Sequence, residues 1–196
     1  MTGVQTCALP ILYAAAQESL GAPGTAPADA LLREAFTAIA SLRDPRHEGI
    51  GQAPKFPQAM ALDFCLRHWA RTGDASGLAM AHRAFVAMAR GGICDQVGGG
   101  FARYSTDARW LVPHFEKMLY DNALLARLGT HLWQATGDAE VRRVVEETLT
   151  WAAREMTAPG GAWYASLDAD SEGDEGRFYV WTPDEIRSVK IGRAHV

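Results

Sequence analysis

Acidic, imidazole and ammonium side chains gather in three stretches of the sequence. They are Asp95 behind Gly91-Gly92, the run His114-Phe115-Glu116-Lys117-Met118-Leu119-Tyr120-Asp121, and Asp168-Ala169-Asp170-Ser171-Glu172-Gly173 behind Gly160-Gly161. Glycoside chemistry needs one acid and one base or nucleophile flanking a scissile bond, with carboxyl groups about 5–9.5 Å apart. Asp95 and Asp168 are the preferred pair, because each follows a double glycine. On a helix continuing from Pro113, residues His114, Lys117 and Asp121 fall at i, i+3 and i+7 and share a face. Packed together, the carboxylate would hold the lysine charged and orient the imidazole, which could then act as a general base. The same trio equally suits a buried network that fixes the helix to its neighbours. Glu116 and Tyr120 lie on an adjacent face, as site residues or as ordinary helix pairs. The expected catalytic set is Asp95, His114 and Asp168. Arg103, Tyr104, Trp110, Glu116, Lys117, Tyr120, Asp121, Asp170 and Glu172 are expected to bind substrate.

Other readings of these loops are weaker. Asp168-x-Asp170-x-Glu172-Gly173 has the alternate oxygens of a calcium loop, but position twelve of that template is Tyr179 and not a bidentate Glu, so no metal is expected. Asp95 and Asp170 could instead anchor turns by bonding loop backbone. Gly98-Gly99-Gly100 lacks the Lys-Ser/Thr of a phosphate loop and the G-x-G-x-x-G spacing, so no nucleotide cofactor is expected; the glycines would let the chain turn sharply beneath a ligand. Phe101, Tyr104, Trp110, Trp163, Tyr164 and Trp181 offer faces on which sugar rings stack, or small satellite cores that hold the loops down. His68 and His131 are expected on helix surfaces.

The elements that must position these groups are helices. Apolar residues at 3.6-residue spacing predict one from Asp29 (Leu32, Phe36, Ile39, Leu42), one after Pro57 (Met60, Phe64, Leu66, Trp69), and one from Asp74 to Arg90 (Leu78, Ala81, Phe85, Met88). A fourth runs from Pro113 to Gly137, a fifth starts at Asp138 (Val141, Val144, Val145, Leu149), and a sixth opens at the capping box Thr182-Pro183-Asp184-Glu185. Trp69-Ala70-Arg71-Thr72-Gly73-Asp74-Ala75 recurs as Trp133-Gln134-Ala135-Thr136-Gly137-Asp138-Ala139, each copy ending one helix and capping the next. Tight Thr-Gly-Asp turns therefore alternate with long loops at 43–56, 91–113 and 157–182, which puts the turns on one rim and the loops on the other. The fold class expected is all-α: a partial α/α toroid of antiparallel hairpins, with short strands at Trp163–Ser166 and Phe178–Trp181 forming small rim hairpins.

Composition fits one soluble globular domain: of 196 residues, 48% are hydrophobic and 21% charged. A formal charge of −4 gives no attraction to nucleic acid or anionic membrane, and no apolar run is long enough to span one. Cys7, Cys65 and Cys94 have neither disulfide-framework nor zinc spacing, which points to a reducing, cytoplasmic setting. The opening MTGVQTCALPI and the closing IGRAHV read as translated sequencing adaptor. Residues 1–11 and 191–196 are therefore expected to be non-native ends, and 12–190 an incomplete toroid domain.

Four ordered motifs carry a resemblance. Ala53-Pro54-Lys55-Phe56-Pro57, Gly91-Gly92-Ile93-Cys94-Asp95-Gln96-Val97-Gly98-Gly99-Gly100-Phe101, Trp110 through Ala123, and Asp168 through Gly173 followed by Phe178-Tyr179-Val180-Trp181 resemble the thioredoxin-domain-containing, spermatogenesis-associated protein 20-like family over about residues 31–187. The resemblance implies a six-hairpin (α/α)6 toroid, similar to N-acylglucosamine 2-epimerases and glycosidases, joined in family members to a thioredoxin-like domain. The chain has no C-x-x-C, so redox activity does not transfer. It departs from the family pattern at Cys94 (usually Tyr), Ala102 (usually His) and Glu48-Gly49-Ile50-Gly51 (usually Gly-Gly-Phe-Gly). The function implied is carbohydrate-active, isomerase or glycosidase-like, with a small sugar as ligand. The alternative is a non-catalytic binding toroid that works with a thioredoxin-like partner domain. With five helices and the start of a sixth, the 196-residue chain by itself is expected to be inactive and to expose apolar stripes.

Overall fold

The computed structural model describes residues 29–190; the expectations about residues 1–11 and 191–196, and about Cys7, lie outside the described residues. The chain divides into two compact units, Met1–Glu34 and Ala35–Val196. Described residues of the first are the opening turns of α1 (Asp29–Ser41), an α-helix as expected. The second holds the rest of α1, then α2 (Ala59–Thr72), α3 (Ala75–Ala89), α4 (Leu119–Thr136), α5 (Ala139–Glu155) and α6 (Pro183–Lys190).

The repeated Thr-Gly-Asp motif makes both tight turns by the same local chemistry. Gly73 and Gly137 take the left-handed conformation at φ 77° and 71°, and donate their N–H to the carbonyls of Trp69 and Trp133 at 2.8 and 2.7 Å. One residue on, Asp74 and Asp138 accept from the N–H groups of Ser76 and Glu140. Each motif thus closes one helix and caps the next. The hairpins α2–α3 and α4–α5 meet α2 to α4 and α3 to α5, giving two layers of helices. Between them Leu62, Leu66, Phe85, Met88, Leu125, Leu128, Leu132, Val141 and Val144 form the core.

Several apolar positions depart from the stripe expected of them. Met60, Leu42 and Leu149 are exposed, because the buried stripes of α2 and α5 run through Leu62, Cys65 and Leu66 and through Val141, Val144, Thr148 and Trp151. His68 is buried and stacks on Phe36 with ring centroids 4.0 Å apart, so it is a core residue and not a surface one. His131 is half-buried and bonds Asp63 at 3.1 Å.

The larger correction concerns α4. It begins at Leu119 and not after Pro113. Residues 113–118 are extended: β2 (Pro113–His114) pairs antiparallel with β1 (Tyr104–Ser105), and β3 (Lys117–Met118) with β4 (Ser166–Leu167). Pairing with a strand just upstream and with a rim loop distant in sequence overrides the helical spacing. The acidic run forms a further hairpin, β5 (Asp170–Ser171) with β6 (Asp174–Glu175), turned by Glu172 and Gly173 at φ 54° and 89°. In Phe178–Trp181, expected as a strand, Phe178 and Tyr179 lie in a turn closed by Tyr179 and Val180 N–H bonds to the Gly176 carbonyl, and Val180 and Trp181 are irregular. The capping box at α6 forms as expected, with Thr182 Oγ1 and N–H donating to Glu185 Oε2 at 2.7 Å.

Candidate functional site

An extended chain turns successive side chains to opposite faces, so 113–118 is a partition and not one face of a helix. Pro113, Phe115 and Lys117 line a cavity of about 510 Å³, together with Asp95. His114 and Glu116 point the other way, to Arg103, Tyr104 and Glu175. The i, i+3, i+7 grouping of His114, Lys117 and Asp121 is therefore undone: at period two, i and i+3 fall on opposite sides.

On the His114 side lies a polar group. Arg103 donates through Nη1 to Glu116 Oε2 at 2.9 Å, and its backbone N–H donates to the Glu116 carbonyl. His114 shares a 2.7 Å hydrogen bond through Nδ1 with Glu175 Oε1, and its Nε2 stands 3.7 Å from Glu116 Oε2. The imidazole stacks on Tyr104 (4.9 Å, 19°), which in turn packs on Phe56 (4.8 Å). Tyr120 and Asp121, in the first turn of α4, complete the group. Burial is the largest influence on the Asp121 carboxyl and raises its pKa to about 6, against the opposing pull of Tyr120 and Arg103. Two polar atoms here are buried with no protein partner, Asp121 Oδ2 and Arg103 Nε.

On the opposite side, Asp95 anchors a loop. Its Oδ1 accepts from the N–H groups of Val97 and Gly98, and its Oδ2 from Lys117 Nζ at 2.9 Å. Burial alone would raise its pKa, but Lys117 and those N–H groups outweigh it and hold the carboxyl below the ordinary range. Lys117 is buried, also bonds the Gly99 carbonyl at 2.8 Å, and lies 4.9 Å from the ring centres of Trp151 and Tyr179. Gly99 and Gly100, at φ 86° and 80°, turn against α5 and not beneath a ligand: an added Cβ would meet the Glu147 carbonyl at 2.7 Å or the Trp151 ring at 2.7 Å.

The remaining expected residues are solvent-exposed in the acidic hairpin or buried as structural groups. Asp168 is exposed and bonds the Asp170 N–H at 3.0 Å; Asp170 is exposed in β5; Glu172 is exposed and pairs with Arg177 at 2.9 Å. Asp168 is not among the residues that line the cavity with Asp95. Trp110, expected at a binding surface, is buried, with its Nε1 donating to the His47 carbonyl and Lys55 Nζ 4.9 Å above its ring. Phe101 is buried too, whereas Trp163, Tyr164 and Trp181 are exposed. Both positions that depart from the family pattern in this loop, Cys94 and Ala102, line the cavity.

Sequence reasoning missed three positioning residues. Asn122 is buried and clamps the glycine loop onto α4, accepting from Phe101 N–H at 2.7 Å and donating to the carbonyls of Phe101 and Met118. Glu175 orients His114. Lys55 is fully buried and bonds Asp44 at 2.7 Å; its signal was an Asp–Gly spacing shared by Asp44-x4-Gly49 and Asp95-x4-Gly100.

Antiparallel helix pairs with long loops on one rim and short turns on the other define a segment of an α/α toroid. Solved structures agree: a sugar epimerase from a ruminal bacterium (TM-score 0.61, 16% identity, 70% of this chain and 39% of that chain) and cellobiose 2-epimerase from Spirochaeta thermophila (0.58, 18%, 71% and 41%) share the fold. So does a D-mannose isomerase (0.53, 18%, 70% and 41%). Over 156 residues the chain is 41% identical to human spermatogenesis-associated protein 20, covering 74% of this chain and 20% of that protein. It is 34% identical over 168 residues to an uncharacterized protein of Caenorhabditis elegans, covering 77% of this chain and 23% of that protein. Over the matched segment the chain belongs to the spermatogenesis-associated protein 20-like family, and it spans about a fifth of the length of these curated relatives. No family model matches the sequence. No helix among the described residues is long and apolar enough to cross a membrane.

Proposed function

We propose that this toroid segment supplies one wall of a carbohydrate-active centre of isomerase or glycosidase type, built on the His114 side of the partition. The observation that carries the reading is the pair of buried, unpartnered atoms in one polar group: a carboxylate oxygen of Asp121 and the Nε–H of Arg103. Buried polar atoms are costly unless bonded, and a hydroxyl both donates and accepts, so hydroxyls of a sugar suit this pair. Phe56 and Tyr104 add ring faces for the apolar side of a pyranose. For isomerisation, His114 would take the proton from the carbon next to an open-chain carbonyl and deliver it on the same face to the former carbonyl carbon, while the proton of the neighbouring hydroxyl passes to the former carbonyl oxygen. Glu175 on Nδ1 would fix the ring, and Arg103 would stabilise the charge gathering on the carbonyl oxygen.

Because the 196-residue chain by itself is expected to be inactive, the test places this segment in a complete six-hairpin toroid and uses D-mannose and cellobiose, the sugars named for its structural neighbours. Thermal shift reads binding, and NMR in heavy water reads exchange at the carbon next to the carbonyl. Binding with exchange is expected, with His114→Ala abolishing exchange and Asp121→Asn weakening binding about tenfold. Neither binding nor exchange with any sugar overturns the reading. Binding without exchange selects a second reading, a silent ligand-binding toroid that serves a thioredoxin-like domain. That reading is favoured by the Asp95–Lys117 pair, whose two charges already neutralise one another. A cytoplasmic setting belongs to the same proposal, supported by Cys65 and Cys94, both free and buried.

A further inference from the structure

The cavity on the Asp95 side has a chemistry of its own. Its walls are apolar, formed by Ile93, Pro113, Phe115, Phe178, Tyr179 and Trp181. Three of the rings form an ordered set: Phe115 stacks on Tyr179 (5.5 Å, 12°), and Phe178 meets Tyr179 edge-on (5.1 Å, 84°). Trp181 and Phe178 are more than half exposed and offer free ring area. The charged lining residues are already spent: Asp95 on Lys117 at 2.9 Å, and Glu155 on Arg154 at 2.6 Å. A charged ligand would leave water and find no unpaired counter-charge to offset its lost hydration. A neutral one gives up only apolar surface. The volume, about 510 Å³, falls in the range of sites for small ligands.

We infer that this cavity is a second binding site, separate from the sugar site, that takes an uncharged aromatic molecule of one or two rings. The ring packs against Phe178, Tyr179 and Trp181, and a hydroxyl or N–H on it donates to the Asp95 carboxylate at the floor. Cys94 and Ala102 belong to the same wall, and bulk added at Ala102 projects into the space the ring would fill.

Calorimetric titration of the intact chain with indole tests this, with benzoate and trimethylphenylammonium as anionic and cationic counterparts. Saturable binding of indole is expected, at least about tenfold tighter than either ion. Ala102→Phe, checked by its melting curve, should abolish binding by filling the cavity. Because Ala102 is buried and that variant can fail to fold, Trp181→Ala at the exposed mouth is the second arm, with a loss of roughly three- to tenfold expected from removal of one ring contact. Equal affinity for the charged probes, no binding of indole, or unchanged affinity in Trp181→Ala overturns the inference. His114→Ala should leave indole binding unchanged, so failure here and failure of the sugar reading are told apart.

Discussion

Two loops of this molecule are built to one plan and end in different roles. In residues 43–50, Asp44 accepts from the N–H groups of Arg46 and His47, its own N–H closes on the Gly49 carbonyl at 2.9 Å, and its Oδ2 takes Lys55 at 2.7 Å beside the Trp110 ring. In residues 94–101, Asp95 accepts from Val97 and Gly98, closes on the Gly100 carbonyl at 2.9 Å, and takes Lys117 beside the Trp151 ring. Both lysines sit just ahead of a helix and pair as isolated bridge or strand with a rim loop, Lys55 with Ser105 and Lys117 with Leu167. The side chains of Lys55 and Asp44 are 0% and 7% exposed, and those of Lys117 and Asp95 are 3% and 17%. One clamp is sealed and only holds loops together. The other is left ajar, and a cavity opens on its acid.

Removing the lysines gives the largest expected effect. Lys55→Ala strands Asp44 in a sealed site and should cost about 3–5 kcal/mol, as for one partner of a buried pair. Lys117→Ala should cost less, roughly 2–3 kcal/mol, because water entering the cavity can solvate Asp95. Urea unfolding reads both; equal losses would erase the distinction between the clamps.

The glycines are a finer probe. Gly100→Ala should destabilise by about 2–3 kcal/mol, since it joins a left-handed backbone at φ 80° to a collision with Trp151. Gly137→Ala has the left-handed backbone but open space around it, and should lose only about 1 kcal/mol.

Acid titration separates the sealed clamp from the polar group around His114. The Asp44 carboxyl is subject first to burial, which raises its pKa, but Lys55 and two backbone N–H groups outweigh this and bring it down to about 2. Its stabilisation is present above about pH 4 and is lost as pH falls toward 2. Asp121 behaves oppositely. Raised to about 6, it favours the protonated fold, so stability falls as pH rises from about 4 to 6 and stays lower above. Asp121→Asn should therefore gain about 1–2 kcal/mol at pH 7 and change little at pH 4. A gain at pH 4 as large as at pH 7 would show that Asp121 does not titrate as its burial implies.

The turn rim of the hairpins and the start of α6 were legible in the sequence because their causes are local. Thr-Gly-Asp encodes a left-handed stop and a carboxylate cap within three residues, and Thr182-Pro183-Asp184-Glu185 a capping box within four. The site was legible only in composition. Most of the residues expected to bind sugar do meet around His114, including Arg103, Tyr104, Glu116, Tyr120 and Asp121. Asp95 and Lys117 line the cavity on the other side of the strip, and Trp110 is buried.

By itself, then, the sequence determined the paired helices, their turns and the kinship that its motifs carry, since each rests on contacts a few residues apart. Only the tertiary structure decided which way residues 113–118 face. Their helical spacing was overruled by strand pairing to Tyr104–Ser105, just upstream, and to Ser166–Leu167, a partner too far along the chain for any local period to reveal. With that change of period from 3.6 to two, one expected pocket became two surfaces on either side of a single strip of backbone.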